Sequence, residues 1–327
     1  MKPELKPLSE QVMVITGASS GIGLATARAA AERGARLVLV SRDEAALQAL
    51  VDELGQGQHE AIAVTADVGV EADVRRVAER ALAHFGRFDT WVNNAGVSLF
   101  GLIEQPTMAE NRRLFDTNFW GVVHGALTAR AHLRQHGGAI ITVGSMLSDM
   151  SIPMQGMYCA SKHAVKGFIN SLRMESEHAG DPISYTLVKP ASVNSMLTQH
   201  ARNYMEKEPD LPPPVYAPRV VADAILQAAE HPLRDVRVGE PAVAGPSFAF
   251  LAPGMTDMVL RTFAIDLQQK DESDHRSHNG NLFASAGDGS LQESEERKGM
   301  TFQHSPYTEV VTRLPDPFGL LRKGWRA

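Results

Sequence analysis

Tyr158 and Lys162 stand four residues apart, with Ser145 thirteen residues upstream, and together these types could move a proton. On a helix, side chains at i and i+4 share one face, so the phenol and the ammonium would meet. A free phenol has a pKa of about 10 and exchanges protons poorly near neutrality. An ammonium held against it, helped by a second cation, favours the ionised form. A shift of roughly 3 units corresponds to about 4 kcal/mol, within reach of two close cations in a partly dry cleft. The same spacing also describes an amphipathic helix with an incidental polar pair, so the surrounding chain must decide.

The elements that would position these groups alternate between strand and helix patterns. Val12–Ile15 is a short apolar run followed by Thr16-Gly-Ala-Ser-Ser-Gly-Ile-Gly23, which opens an alanine-rich helix to about Arg33, with Gly34 suited to its end. Further strand patterns fall at Arg36–Val40, Ala61–Thr65, Thr90–Asn93, Ala139–Val143, Ser184–Val188 and Val236–Val238. Helical stretches run from Glu44 to Leu54, with Asp43 as N-cap, and near 70–85, 109–135, 157–178 and 220–230. Parallel strands need helical crossovers, so this alternation predicts an α/β fold, a doubly wound parallel sheet of the Rossmann type in a single domain. Ligands of such sheets sit beyond the carboxyl ends of the strands, where Gly17, Ser41, Asp67, Asn93 and Ser145 would lie.

A glycine-rich turn between a strand and a helix places unpaired amide hydrogens where a pyrophosphate can sit, which points to a dinucleotide. Its oxidised nicotinamide would supply the second cation that Tyr158 needs. An acidic residue at the end of the second strand would accept from a ribose hydroxyl, whereas a basic one would bind a 2′-phosphate. Here that strand ends Val40-Ser41-Arg42, which favours NADP(H), with NAD(H) as the alternative. Asp43 could serve the ribose but equally well caps the next helix. Asp67, followed by Val68, could accept from the adenine or cap a helix of its own.

The 327 residues are 43% hydrophobic, enough for a sizeable core, and the net charge of −6 with no basic run argues against a nucleic-acid partner. The single cysteine, Cys159, excludes an internal disulfide and fits a reducing compartment. No apolar leader and no apolar run of about 18 residues appears, so a cytoplasmic location is expected.

Two stretches depart from the alternation. Residues 194–217 are long, hold Met196, Leu197, Tyr204, Met205 and Pro212-Pro-Pro214, and suit a substrate lid within a domain of residues 1–265. Residues 266–327 form a C-terminal extension, polar and linker-like to about Gly299, with apolar character returning at Tyr307, Val310, Val311 and Phe318-Gly-Leu-Leu321.

Taken in order, TGASSGIG at 16–23, Asp67-Val68, Asn93-Asn-Ala-Gly96, Asn118, Ser145, the YxxxK of 158–162 and Lys189-Pro190 resemble the short-chain dehydrogenase/reductase family in its shorter form, over about residues 8–240. The resemblance implies hydride transfer between a nicotinamide and a carbonyl or secondary alcohol. It implies that Tyr158 is the general acid/base, that Lys162 lowers its pKa and bonds the nicotinamide ribose, that Ser145 polarises the substrate oxygen, and that Asn118 holds a water linked to Lys162. Cofactor contacts would come from Gly17, Ser19, Ser20, Gly21, Ile22, Gly23, Ser41, Arg42, Asp67, Val68, Asn94, Ala95, Gly96, Tyr158, Lys162, Pro190, Val193 and Ser195. Pro190-Ala191 stands where the family commonly has Pro-Gly, and Ser195 where it usually has threonine. Relatives of this kind are homodimers or homotetramers built through the catalytic helix.

Met146, Met150, Met154 and Met157, with Met196 and Leu197, suit either a hydrophobic substrate pocket or ordinary packing. His132 and His136, and His275 and His278, lack a third ligand, so no metal site is expected. Phe318–Trp325 mixes apolar and basic residues but is short for membrane contact. The rival reading is a non-catalytic NADP-binding sensor or interaction protein that works through its C-terminal tail.

Overall fold

The computed structural model describes residues 3–273, 280–285, 289–294 and 301–313. In chain order, β1 (Val12–Thr16) leads to α1 (Gly21–Glu32), β2 (Arg36–Ser41), α2 (Glu44–Gln56), β3 (Ala61–Thr65), α3 (Glu71–Phe85) and β4 (Thr90–Asn93). Next come β5 (Leu99–Phe100), α4 (Met108–Phe115), α5 (Gly121–His136), β6 (Gly138–Val143), α6 (Gly156–Ala179) and β7 (Ile183–Pro190). The short β8 (Arg202–Asn203) and β9 (Lys207–Pro209) precede α7 (Pro218–Glu230), β10 (Asp235–Val238), α8 (Pro241–Leu251), α9 (Pro253–Phe263), β11 (Gln269–Ser273) and α10 (Pro306–Arg313).

Seven strands form one parallel sheet in the order β10-β7-β6-β4-β1-β2-β3. Its two faces are written into the strands by their two-residue period. Met13 and Ile15 of β1 and Leu37 and Leu39 of β2 enter the core beneath α1 and α7. Their neighbours Val12, Val14, Val38 and Val40 enter the opposite core with residues of α3, α5 and α6. The small side chains Ala27, Ala30 and Ala31 let α1 pack closely on the sheet, and all three are fully buried. The strand order reverses between β1 and β4, and the cleft opens at this switch point, flanked by the loops after Thr16 and Asn93.

The segment 194–217 is bound to the domain through backbone pairing: β8 runs beside β5, and β9 pairs with β11. The region from 266 onward, linker-like in composition, is nonetheless anchored in its described parts. Leu282 is buried among Val97, Leu114, Leu147 and Met150, and the Thr308 hydroxyl of α10 accepts from Gly239 N–H at 3.0 Å. A single buried leucine and a few hydrogen bonds suffice to seat an otherwise polar segment, which mean composition does not register. His275, His278 and Phe318–Trp325 lie outside the described residues. No helix among the described residues is long and apolar enough to cross a membrane.

Candidate active site

The glycine loop is held open by backbone geometry. Gly17 and Gly21 have φ of +69° and +50°, a region in which L side chains are strained. At Gly23 the reason is steric instead, since a Cβ would lie 1.9 Å from the Gly17 carbonyl oxygen. Asn94 ties this loop to the one after β4, donating from Nδ2 to the carbonyls of Thr16 at 2.9 Å and Gly17 at 3.3 Å. The Thr16 hydroxyl accepts from the Asn94 and Ala95 amides. The two loops therefore move as one unit at the floor of the cleft.

A cavity of about 410 Å³ runs from this floor to the methionine-rich segment. Every cofactor-contact residue expected from the sequence lines it except Gly23, which packs under Gly17, and every catalytic one except Asn118. The lining also takes in Gln155, Gln268 and residues of the C-terminal region, which no motif signals. Of the methionines, Met146, Met150 and Met196 face the cavity, whereas Met154 packs with Phe100, Ala201 and Met205.

Tyr158 sits in the first turn of α6 and Lys162 one turn later, with Lys162 Nζ 5.6 Å from the phenol ring centroid. Lys162 donates to the Val143 carbonyl at the end of β6 at 3.0 Å, which fixes the ammonium against the sheet edge. Ser145 follows β6, and its hydroxyl oxygen accepts from Leu147 N–H at 3.1 Å, leaving its own hydrogen to donate. Asn118 lies in a π-helical turn, Asp116–Trp120, between α4 and α5, a distortion that turns its side chain inward. It accepts from Val97 N–H at 2.8 Å and donates to Val97 C=O at 2.9 Å and to Ser161 Oγ at 3.3 Å. A Cβ on Gly96 would stand 3.5 Å from Asn118 Oδ1 and 3.9 Å from Lys162 Nζ, so the three positions adjoin. Asn118 is thus a strut between the loop at Val97 and α6, and a water on Lys162 would have to use its remaining lone pair.

The expected acidification of Tyr158 is reversed within the chain itself. Burial pushes the phenol well above its ordinary value, and the hydrogen bond from Ser145 offsets only part of this. Burial also pulls Lys162 down to about 8, so the ammonium that was to lower Tyr158 is itself easily discharged. The phenol therefore rests protonated at neutral pH, and ionising it requires positive charge beyond Lys162.

At the other end of the cavity Arg42 is half-buried and its pKa is lowered, first by that burial and then by Arg113 nearby. Arg113 pairs with Asp67 at 2.5 Å, and Asp67 also accepts from Gly69 N–H at 2.9 Å. Asp67 does not cap α3, whose N-cap is Val70. Asp43 caps α2, accepting from Ala46 N–H at 3.1 Å. Two guanidiniums thus face one ion-paired carboxylate at the end of β2. Arg113 was invisible to motif reading because it reaches this site from α4, far along the chain.

Neither His132 nor His136 gathers further ligands, and the described residues contain no group of three or more His, Cys, Asp or Glu able to hold a metal. Cys159 is buried as a free thiol, its pKa raised by burial.

A parallel sheet with a glycine loop at its switch point, and a Tyr, Lys and Ser set in the same cleft, defines an oxidoreductase fold with a nucleotide-binding site. The chain belongs to the short chain dehydrogenase family, whose pattern matches residues 11–206. It is 44% identical over 315 residues to the uncharacterized oxidoreductase YxnA of Bacillus subtilis, covering 95% of this chain and 88% of that one. Among solved structures it resembles an alcohol dehydrogenase from the archaeon Thermococcus sibiricus complexed with 5-hydroxy-NADP, at TM-score 0.62 and 26% identity over 70% of this chain and 95% of that one. It also resembles a short chain dehydrogenase/reductase from Burkholderia phymatum in complex with NAD, at TM-score 0.66 and 28% identity over 84% of this chain and all of that one.

Proposed function

We propose that this protein is an NADP-preferring dehydrogenase/reductase acting on an apolar carbonyl compound or secondary alcohol. The observation that carries the reading is the convergence of Ser145, Tyr158 and Lys162 on one wall of a cavity whose far end is the glycine loop and Arg42. The cradle fits a dinucleotide: a side chain at Gly23 would close the loop, and the Arg42 guanidinium, beside the Arg113–Asp67 pair and Asp43, can donate to a 2′-phosphate. A nicotinamide dinucleotide bound there supplies or accepts the hydride.

The chain's own residues handle the oxygen. Ser145 donates its hydroxyl hydrogen to the substrate oxygen and shares the polarising task with Tyr158. Tyr158, protonated at rest, gives its proton to the developing alkoxide in reduction and takes one back in oxidation. Lys162 stabilises the phenolate left behind, and the Val143 carbonyl keeps it in place. Asn118 positions this group by holding Val97 and Ser161.

The substrate end is bounded by Met146, Met150, Ile152, Leu197, Leu260 and Leu267, which favours a hydrophobic substrate. Residues 194–217 act as its lid. Assembly as a homodimer or homotetramer is proposed through α5 and α6, where Leu127 and Met174 are exposed, together with Trp120 just before α5.

The test is a panel of carbonyls and alcohols with NADPH, NADP, NADH and NAD, run on wild type and Tyr158→Phe. Wild type is expected to turn over hydrophobic carbonyls with NADPH, and the variant to lose about 10³-fold in kcat while retaining dinucleotide affinity. Full turnover by the variant would remove Tyr158 from the mechanism.

A further inference from the structure

The cavity has a wall that the sheet does not provide. Asn281, Ser285, Ser290 and Gln292 all line it, laid against the glycine loop and the end of β2. They belong to a segment held down at four places. At the first, Asn281 N–H donates to the His200 carbonyl at 2.8 Å, and Gly280 crosses so close that a Cβ there would lie 2.6 Å from the His200 oxygen.

At the second, Arg42 donates to the carbonyls of Asn281 at 2.5 Å and of Leu282 and Ala284 at 3.4 Å, while Arg113 Nε donates to Leu282 at 2.9 Å. The Ser285 hydroxyl reaches Asp43 at 3.2 Å. At the third, Gln292 pairs with the glycine loop in both directions, accepting from Gly21 N–H and donating to Ser19 C=O, each at 3.3 Å. Beside it Glu293 forms an ion pair with Arg28 of α1. At the fourth, Ser294 exchanges hydrogen bonds with Asn194 at 3.0 and 3.3 Å.

We propose that residues 280–285 and 289–294 complete the dinucleotide site as its outer wall, so that this C-terminal strap encloses the cofactor and sets how fast it leaves. This rests on the dinucleotide reading above. Two features separate a wall from a plug. The cavity persists with the strap in place, and Arg42 uses only its terminal nitrogens on strap carbonyls, keeping N–H groups for an anion. The match to YxnA, covering 95% of this chain, is long enough to include the whole strap.

Leu282 is the anchor that can be removed, because it is 1% exposed whereas the ion pair of Glu293 lies at the surface. The experiment uses full-length protein and NADPH fluorescence to measure dissociation rate and Kd for wild type, Leu282→Ala and Gln292→Pro. The second variant abolishes the donation to Ser19 without opening a cavity. Loosening a wall acts mainly on release, so both variants are expected to release NADPH faster, by about tenfold for Leu282→Ala and about threefold for Gln292→Pro, with Kd rising in step. Circular dichroism confirms that each variant is folded, and Gln292→Pro alone decides if Leu282→Ala is not. Rates and affinities within twofold of wild type, or tighter binding, would overturn the proposal. Wild type that binds neither NADPH nor NADH would instead overturn the dinucleotide reading beneath it.

Discussion

The two ends of the cavity are built by different rules. At the nucleotide end, the floor comes from the loops directly after β1, β2, β3 and β4, with the strap outside it, and much of that floor is backbone whose position the sheet dictates. At the substrate end, Met146, Met150, Leu197, Pro212, Leu260 and Leu267 come from segments outside the sheet, and their side chains rather than their amides form the surface. A backbone cradle recognises what every dinucleotide shares. A side-chain pocket recognises a particular shape, and methionine lets that shape adapt. Hence the fold specifies one ligand end, while the segments after β6, β7 and β10 specify the other.

The sharpest way to break this contrast is at Arg42, a nucleotide-end side chain that would read a feature not common to both cofactors. Arg42→Ala should lower kcat/KM with NADPH by about 100-fold, as expected for losing a charge-assisted phosphate contact, and change that with NADH by less than about threefold. Equal losses with both cofactors would mean that Arg42 serves the strap instead of a phosphate. Substrate KM should not move, because the hydrogen-bond partners of Arg42 among the described residues are strap carbonyls and not side chains of the substrate end.

Lys162 sits between the two ends and gives the next effect through pH. Its pKa is lowered to about 8 by burial, so its charge is complete below that value and is lost above it. The kcat/KM for carbonyl reduction, which reports the free enzyme, should fall about tenfold per pH unit above 8. The NADPH-to-NADH preference should stay level over the same range, since guanidinium does not titrate there. Stability moves the other way. A lysine with a depressed folded pKa binds fewer protons folded than unfolded between about 8 and its ordinary value of 10.5, so this group's contribution to stability rises with pH across that window. Lys162→Met should therefore abolish the alkaline fall in rate and raise the melting temperature at pH 7, measured by calorimetry.

These expectations separate what the sequence makes legible from what it does not. The sheet could be read because its strands are short apolar runs with a two-residue period, Gly17 and Gly21 because their conformations admit little else, and Gly23 because a Cβ there would strike Gly17. Tyr158, Lys162 and Ser145 could be read because α6 and the end of β6 fix their spacing locally. The protonation state of Tyr158 could not, because burial depends on every element that covers it. Arg113 and Leu282 were silent for another reason: each reaches the cleft across more than forty residues of chain, and neither belongs to a local pattern. The strap shows the same limit in stronger form, since a segment polar in composition is seated by one buried leucine and a series of backbone carbonyls.

The smallest effect is expected where the lid meets the domain. Glu110 of α4 is buried and accepts from Thr107 N–H at 2.8 Å, Arg202 Nε at 2.7 Å and Tyr204 Oη at 2.6 Å, which fastens residues 202–204 above the cleft. Burial alone would raise this carboxyl, but the bonds from Tyr204, Thr107 and Arg202 outweigh it and hold its pKa down to about 2. A depressed carboxylate stabilises fully above its unfolded value near 4.5, and the contribution is lost as pH falls from there toward 2. Glu110→Gln keeps one acceptor but turns an amide toward donors, so the lid should loosen without the sheet being disturbed. KM for an apolar carbonyl should rise about threefold while Kd for NADPH stays unchanged, because hydrogen bonds to charged groups are worth only about 1.5–3 kcal/mol and the lid keeps its backbone pairing. The variant's stability should also fall less than that of wild type between pH 4.5 and 2, as read by denaturant midpoints. A change in NADPH affinity equal to that in KM would show that the lid spans both ends, and that the division between sheet-built and insertion-built surfaces does not extend to function.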